Sequence, residues 1–139
     1  MRIWVIGCAV LGSACMGGPT LPVAPVDGAK SELVELVEQI RQAELALQVV
    51  DDFLPCGDET AAKAAFSVVP RAWDGPDCFV RIGWAPQTDV RGGYWVEVAA
   101  DKSDFTVFGV ADADGDGTFQ VVKATKADAA AVTTAETVF

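Results

Sequence analysis

One long amphipathic helix is predicted by residues 30–53, which read KSELVELVEQIRQAELALQVVDDF. Apolar side chains recur there at three- and four-residue spacing, and acidic and amide side chains occupy the rest of the surface. Asp27 or Ser31 is suited to cap the beginning of the helix, and Pro55 with Gly57 is suited to end it. Such a helix must bury its apolar stripe against a sheet or a bundle. The stripe consists of Leu33, Leu36, Val37, Ile40, Ala43, Leu47, Val50 and Leu54.

Four strands are predicted after the helix, because apolar and polar residues alternate with period two in four short segments. Their short connections favour an antiparallel meander with one face on the helix. The predicted fold class is therefore α+β, a long N-terminal helix packed on a four-stranded antiparallel sheet. A short second helix is expected at 59–67, whereas 125–139 carries no clear signal. The predicted strands are 79–84, 94–100, 105–111 and 118–124.

The N-terminus predicts export. Arg2 precedes an uncharged, largely apolar stretch that closes as Leu-Gly-Ser-Ala before Cys15, a pattern typical of a bacterial lipoprotein signal over residues 1–14. Cys15 would then carry the lipid. A plain secretory signal and a retained anchor are the alternatives, but a spanning helix needs roughly 20 apolar residues and Pro19 interrupts the stretch. The regularly spaced prolines of residues 15–29 predict an extended tether. Residues 30–139 are predicted to form the globular domain.

The charge of the chain disfavours one class of partner. Twenty acidic residues against ten basic ones give a formal net charge of −10. Such a surface repels phosphate backbones, which makes a nucleic-acid partner improbable, and it repels anionic lipid headgroups as well. Contact with the membrane is therefore expected through the acyl anchor on Cys15. The lipid places the protein in the bacterial cell envelope among other envelope proteins, and Met16 after Cys15 favours the outer membrane.

The cysteines predict one disulfide. Cys8 and Cys15 fall in the signal region, which leaves Cys56 and Cys78 as an even pair in an oxidising compartment. Two separate buried thiols are the alternative. A zinc site is disfavoured, since the sequence contains no histidine.

The sharpest local motif is the acidic segment DADGDG at 112–117. Asp112, Asp114 and Asp116 alternate as in the first half of an EF-hand loop and supply hard oxygens suited to Ca²⁺. Lys123, however, stands where that loop needs a bidentate glutamate, and the flanking segments are predicted strands rather than helices. Two interpretations stay open: a tight hairpin turn without functional metal, and a turn that binds Ca²⁺.

Residues suited to catalysis are scarce. The chain has no histidine, and its serines lie in no nucleophile motif. The pair Asp51 and Asp52 occupies adjacent helical positions, which do not face each other, so we interpret it as a solvated helix end. We therefore predict that the protein is not an enzyme.

The aromatic residues favour packing over ligand binding. Strand alternation turns Trp84 and Tyr94 inward and Trp95 outward, so only Trp95 and Trp73 are available as a platform for a sugar or peptide. Aromatic residues in strands usually fill cores, which favours the packing interpretation.

The order of these features resembles the globular part of type IV pilins and type II secretion pseudopilins of the deltaproteobacterial type. The helix running from IRQAE at 40–44 to FLPCG at 53–57 is similar to the exposed half of a pilin's first helix. The first strand and following loop of that group are similar to Trp73, FVRIGWAP at 79–86 and VRGGY at 90–94. Its last hairpin is similar to FTVFGVADADGDG at 105–117.

The N-terminus departs from that family in a way that bears on function. A pilin begins with a prepilin-peptidase site and a long apolar half-helix that builds the filament core, whereas this chain has a lipoprotein signal there. The resemblance implies a pilin-like head on a lipid, acting as a non-catalytic structural or protein-binding accessory related to pilus or secretion-system subunits. The alternative is a periplasmic binding module that holds Ca²⁺ or a cationic ligand in the 112–117 loop.

Overall fold

Within residues 25–134 the chain forms three helices and one four-stranded antiparallel sheet, so the α+β class is confirmed. The computed structural model describes residues 25–134, and the side chains of 28–134. The predicted signal, Cys15 and most of the predicted tether lie outside the described residues, as does the end of the tail. The helices are α1 (Pro25–Leu47), α2 (Glu59–Ala65) and α3 (Cys78–Ile82), and the strands, which lie in chain order across the sheet, are β1 (Gly93–Val98), β2 (Phe105–Ala111), β3 (Gln120–Thr125) and β4 (Ala131–Val132).

Helix α1 begins at Pro25, inside the segment predicted as tether. Proline is favoured at the first helical position because its φ angle already suits the helix and its missing N–H would have no partner there. The regularly spaced prolines that indicated an extended tether thus include one that starts the helix.

Helix α1 ends at Leu47, before the predicted end at residue 53. The last turn tightens, since Val49 N–H bonds Ala46 C=O at 3.3 Å and Val50 N–H bonds Leu47 C=O at 2.9 Å. Val50, a predicted stripe residue, is 81% exposed. Because the helix ends here, the chain can turn back and bury Phe53. The centroid of the Phe53 ring lies 4.6 Å from that of the Phe105 ring.

The buried side chains of α1 share one core with the sheet. Leu33, Val37 and Ile40 are fully buried together with alternate residues of the strands, which are Tyr94, Val96, Phe105, Val107, Val122 and Ala124. Gly109 of β2 allows the close approach, because a Cβ there would lie 2.6 Å from Val37 Cγ2. Three of the four predicted strands correspond to β1, β2 and β3 with small differences at their ends.

The strand predicted at 79–84 is wrong, because this segment forms the short helix α3. Phe79 and Ile82, three residues apart, are buried, whereas Val80 between them is 68% exposed. The helix ends at Gly83, whose φ of +91° lets the next N–H, on Trp84, bond back to Phe79 C=O at 2.9 Å. A short run of alternating apolar residues fits a helix or a strand, and here the left-handed glycine selects the helix.

The fourth strand is β4, in the part of the chain where no element was predicted. Contacts with α1 hold the turn before it: Arg41 donates to Thr125 C=O at 2.7 Å and to Lys126 C=O at 3.1 Å. Glu38 accepts the N–H of Ala130 at 2.9 Å. These contacts join residues more than 80 positions apart, so no local pattern announces the strand.

Candidate functional site: an acidic turn, an apolar groove and a buried carboxyl

The predicted disulfide between Cys56 and Cys78 is present, with a Cα–Cα distance of 5.5 Å. Cys56 also pairs with the edge of β1, exchanging two backbone hydrogen bonds with Val96 at 3.0 and 2.8 Å. The bridge therefore ties the start of α3 to the sheet through the segment that leads into α2.

Asp112 organises the acidic turn between β2 and β3. Its side chain is buried, and its two carboxylate oxygens accept the backbone N–H groups of Gly115 at 2.7 Å, Asp116 at 3.1 Å and Gly117 at 2.8 Å. Asp116 in turn accepts the N–H of Thr118 at 2.6 Å. Gly115 and Gly117 adopt positive φ angles of 75° and 90°, which glycine tolerates at no steric cost. The turn is therefore closed by its own carboxylates and glycines.

The same turn gathers three oxygens that could hold a hard cation. Asp112, Asp114 and Asp116 each offer a carboxylate oxygen, and these oxygens lie within 4.8 Å of one another. An ionised carboxylate has about four lone-pair sites, so accepting backbone hydrogen bonds does not exhaust it. Lys123 supplies no ligand, since an ammonium group has no lone pair to offer a cation. It lies instead 5.9 Å from the centroid of the Phe108 ring. The geometry agrees with both interpretations of the motif, the closed turn and the Ca²⁺ turn.

Sequence reasoning missed an apolar groove between α2 and the loop that carries Trp73. The groove encloses about 240 Å³. Ala61 and Ala65 of α2 form one wall, Trp73 the other, and Gly93 and Tyr94 of β1 the floor. A Cβ at Gly93 would lie 1.9 Å from Ala62 C=O, so glycine is what allows α2 to rest directly on the strand.

Trp73 is held in place by other aromatic rings. Its ring centroid lies 5.5 Å from that of Phe79, 5.3 Å from that of Trp84 and 5.9 Å from that of Tyr94. A Cβ at Gly75 would lie 1.9 Å from the indole, so the backbone covers part of the ring. Trp73 is half-buried and lines the groove, which makes the wall rigid before any ligand arrives.

Trp95, the other tryptophan considered for a ligand platform, is not available. It faces away from α1, as its strand position predicted, but it is buried beneath Ala62 of α2 and stacks on Phe108 at 4.6 Å. The sequence could not show that α2 covers this face of the sheet.

Glu44 is a buried carboxyl on α1 with an incomplete set of hydrogen bonds. Its side chain is fully buried, Oε2 accepts the N–H of Leu54 at 3.2 Å, and among the described residues Oε1 has no partner. Burial raises the pKa of Glu44 to about 7, against the smaller opposing effect of the Leu54 hydrogen bond. Glu44 lies four residues after Ile40 and three before Leu47. This spacing places it on the apolar face of the helix and is the sequence signal of a buried carboxyl.

Asp51 and Asp52 follow α1, which ends at Leu47. Both are exposed, and Asp52 accepts a hydrogen bond from Lys102 Nζ at 2.7 Å. The predicted exposure of this pair is therefore confirmed, but the two residues lie beyond the helix rather than at adjacent helical positions.

No family model, curated protein or solved structure matches this chain. The resemblance to pilins therefore stays a proposal. Among residues 25–134, no helix is both long enough and apolar enough to cross a membrane.

Proposed function

We propose that this chain is a lipid-anchored module of a bacterial cell envelope that binds another protein and catalyses no reaction. The lipoprotein pattern before Cys15 supports the anchor, and the Cys56–Cys78 disulfide accords with an oxidising compartment. The net charge of −10 directs membrane contact to the acyl chains rather than to the protein surface.

The groove beside Trp73 is the observation that carries the binding role. It combines a cavity with a rigid aromatic wall, features common to sites that bury part of a partner. The long helix and the antiparallel sheet support the further proposal that the domain is a pilin-like head, related to pilus or secretion-system subunits.

The anchor would hold this domain close to the membrane. Only residues 16–24 lie between Cys15 and α1. A fully extended chain of that length spans at most about 35 Å. A partner that binds the groove must therefore come within a short distance of the membrane that holds the anchor.

Replacing the lipid-bearing cysteine, Cys15→Ala, is expected to move the protein from the membrane fraction to the soluble fraction and to abolish labelling by radioactive palmitate. Cys8→Ala is the matched control and should leave both readouts unchanged, since Cys8 lies inside the predicted signal. Unchanged fractionation of Cys15→Ala would refute the anchor.

Cross-linking with mass spectrometry in native envelopes tests the binding role. We expect one or a few envelope proteins to be captured by wild-type protein well above the level found with an unrelated lipoprotein of similar abundance. Capture of no protein above that level would refute the accessory function.

Calcium binding is the second candidate function, favoured by the three carboxylate oxygens within 4.8 Å in the acidic turn. On this proposal, about 10 mM Ca²⁺ stabilises the protein by about 2 kcal/mol if its affinity matches that of extracellular calcium modules. The double variant Asp114→Asn/Asp116→Asn loses this effect, because it removes two of the three carboxylates. It keeps Asp112, so the turn stays closed.

Thermal unfolding with and without Ca²⁺, together with calorimetric titration, measures this effect. Asp77→Asn/Asp89→Asn is the control, since it removes the same charge from two exposed positions outside the turn. No heat and no shift in Tm at millimolar Ca²⁺ would leave the motif as a structural turn only.

A further inference from the structure

We infer that the groove between α2 and Trp73 takes one basic side chain, lysine or arginine, from an extended segment of the partner protein. This inference rests on the proposed protein-binding function and adds to it the chemistry of the partner. Shape, wall composition and charge at the mouth of the groove each support it.

The size of the groove suits one long side chain. Its volume of about 240 Å³ lies below the range of roughly 300–1,000 Å³ that sites for whole small molecules occupy. Ala61 and Ala65 lie one helical turn apart and present only methyl groups, so the space between them and Trp73 stays open along the helix. A linear aliphatic stem fits such a slot, and lysine and arginine bury their stems in this way.

The part of the Trp73 indole that Gly75 leaves uncovered gives the groove an aromatic wall suited to a cation. Tryptophan is the aromatic residue that attracts cations most strongly, and the attraction grows when water is excluded. Because three aromatic neighbours hold Trp73, it needs no ordering when the side chain enters.

Carboxylates stand at the mouth of the groove. Asp58 caps α2 by accepting Ala61 N–H at 2.8 Å through Oδ1, and Asp74 forms an ion pair with Arg71 at 2.8 Å through Oδ1. Both residues are exposed, and within residues 25–134 neither Oδ2 atom accepts a hydrogen bond. An incoming ammonium or guanidinium could therefore bond to them without displacing an existing partner.

The basic residues beside the groove are already engaged. Arg71 donates to Ala65 C=O through Nε at 2.8 Å and also through Nη2, and so ties the end of α2 to the Trp73 loop. Lys63 pairs with Glu59 at 2.6 Å. The Arg71 contacts join the two walls of the groove, and Asp58 has no basic partner within residues 25–134, so its charge is left for a cation from outside. A second copy of this chain, at −10, is repelled and is the less suitable occupant.

A peptide titration against the full lipidated chain in neutral detergent tests the chemistry of the occupant. The probes are three fluorescein-labelled heptapeptides of sequence Gly-Ser-Val-X-Val-Ser-Gly, where X is lysine, norleucine or glutamate, and binding is read as fluorescence anisotropy. We expect the lysine peptide to bind at least about tenfold more tightly than either of the others and to weaken as salt is raised.

Substitutions in and beside the groove test whether the peptide binds there. Ala61→Leu fills the slot and is expected to weaken the binding of the lysine peptide at least about tenfold. Ala64 is an exposed residue of α2 outside the groove lining, so Ala64→Leu should leave this affinity unchanged. Asp58→Asn/Asp74→Asn should also weaken the binding of the lysine peptide. The helix cap is retained in this variant, because asparagine is as good a cap as aspartate. Equal binding of the three peptides, indifference to Ala61→Leu, or no binding at millimolar peptide would overturn the inference.

Cross-linking in native envelopes separates this inference from the proposed function. We expect the partner captured by wild type and by Ala64→Leu to be lost with Ala61→Leu. Equal capture by Ala61→Leu would overturn the groove inference and leave the protein-binding function standing. Capture of a second copy alone would overturn the basic occupant, and capture of nothing by wild type would overturn the proposed function itself.

Discussion

Removal of the disulfide by Cys56→Ala/Cys78→Ala is expected to lower the free energy of unfolding by about 3 kcal/mol. The two cysteines are 22 positions apart, and closing a loop of that length removes conformational entropy from the unfolded chain by about this amount in the chain-entropy model. Small domains are stable by only about 5–15 kcal/mol, so the loss is a substantial part of the total.

Urea denaturation, followed by far-UV circular dichroism, measures the effect of the disulfide. The wild-type protein in the presence of a thiol reductant is the matched control, because it lacks the cross-link but retains both sulfur atoms. We expect reductant to lower the denaturation midpoint of the wild type and to leave the double variant unchanged. A midpoint for the wild type that does not move with complete reduction would show that the bridge contributes little to stability.

A gain in stability at neutral pH is expected for Glu44→Gln. In the folded protein, burial raises the pKa of Glu44 to about 7. In an unfolded chain the pKa of glutamate is about 4.3. Between these two values the folded state holds a proton that the unfolded state has lost, so stability falls as pH rises through this window and stays low above it. Below the window both states are protonated and the penalty disappears.

The expected size of the Glu44 effect is about 3 kcal/mol at pH 8 and close to zero at pH 4. Glutamine mimics the protonated carboxyl, and its carbonyl oxygen can still accept the N–H of Leu54.

The difference in free energy of unfolding between wild type and Glu44→Gln, measured from pH 4 to pH 8, isolates this one group. Glu35→Gln is the control, because Glu35 lies on the same helix but is exposed. A difference that does not change with pH would mean that Glu44 titrates alike in the folded and unfolded states.

Much of the secondary structure could be predicted because its pattern is local. The spacing of Leu33, Val37 and Ile40 indicates a helix whatever it packs against, and alternation along 105–111 indicates a strand. The Cys56–Cys78 pair follows from counting cysteines in a chain whose N-terminal sequence predicts export. The motif at 112–117 predicts a turn because its glycines adopt positive φ angles at no steric cost.

The errors arose where a local pattern fits more than one structure. Residues 79–84 alternate like a strand, but the bridge at Cys78 and the left-handed Gly83 accommodate one helical turn that buries Phe79 and Ile82. The two-residue strand β4 is too short for any periodicity, and it is held by Arg41 and Glu38 from a distant helix.

The sequence by itself determined the α+β class, the long helix, three strands, the disulfide and the acidic turn, because each depends on residues that are near in the chain or few in number. Only the tertiary structure decided that Glu44 is buried with one oxygen unpaired, that α2 covers Trp95, and that Trp73 faces Ala61 across a groove. Burial and cavity shape depend on which elements meet, and this is set by contacts between residues that are distant in the chain.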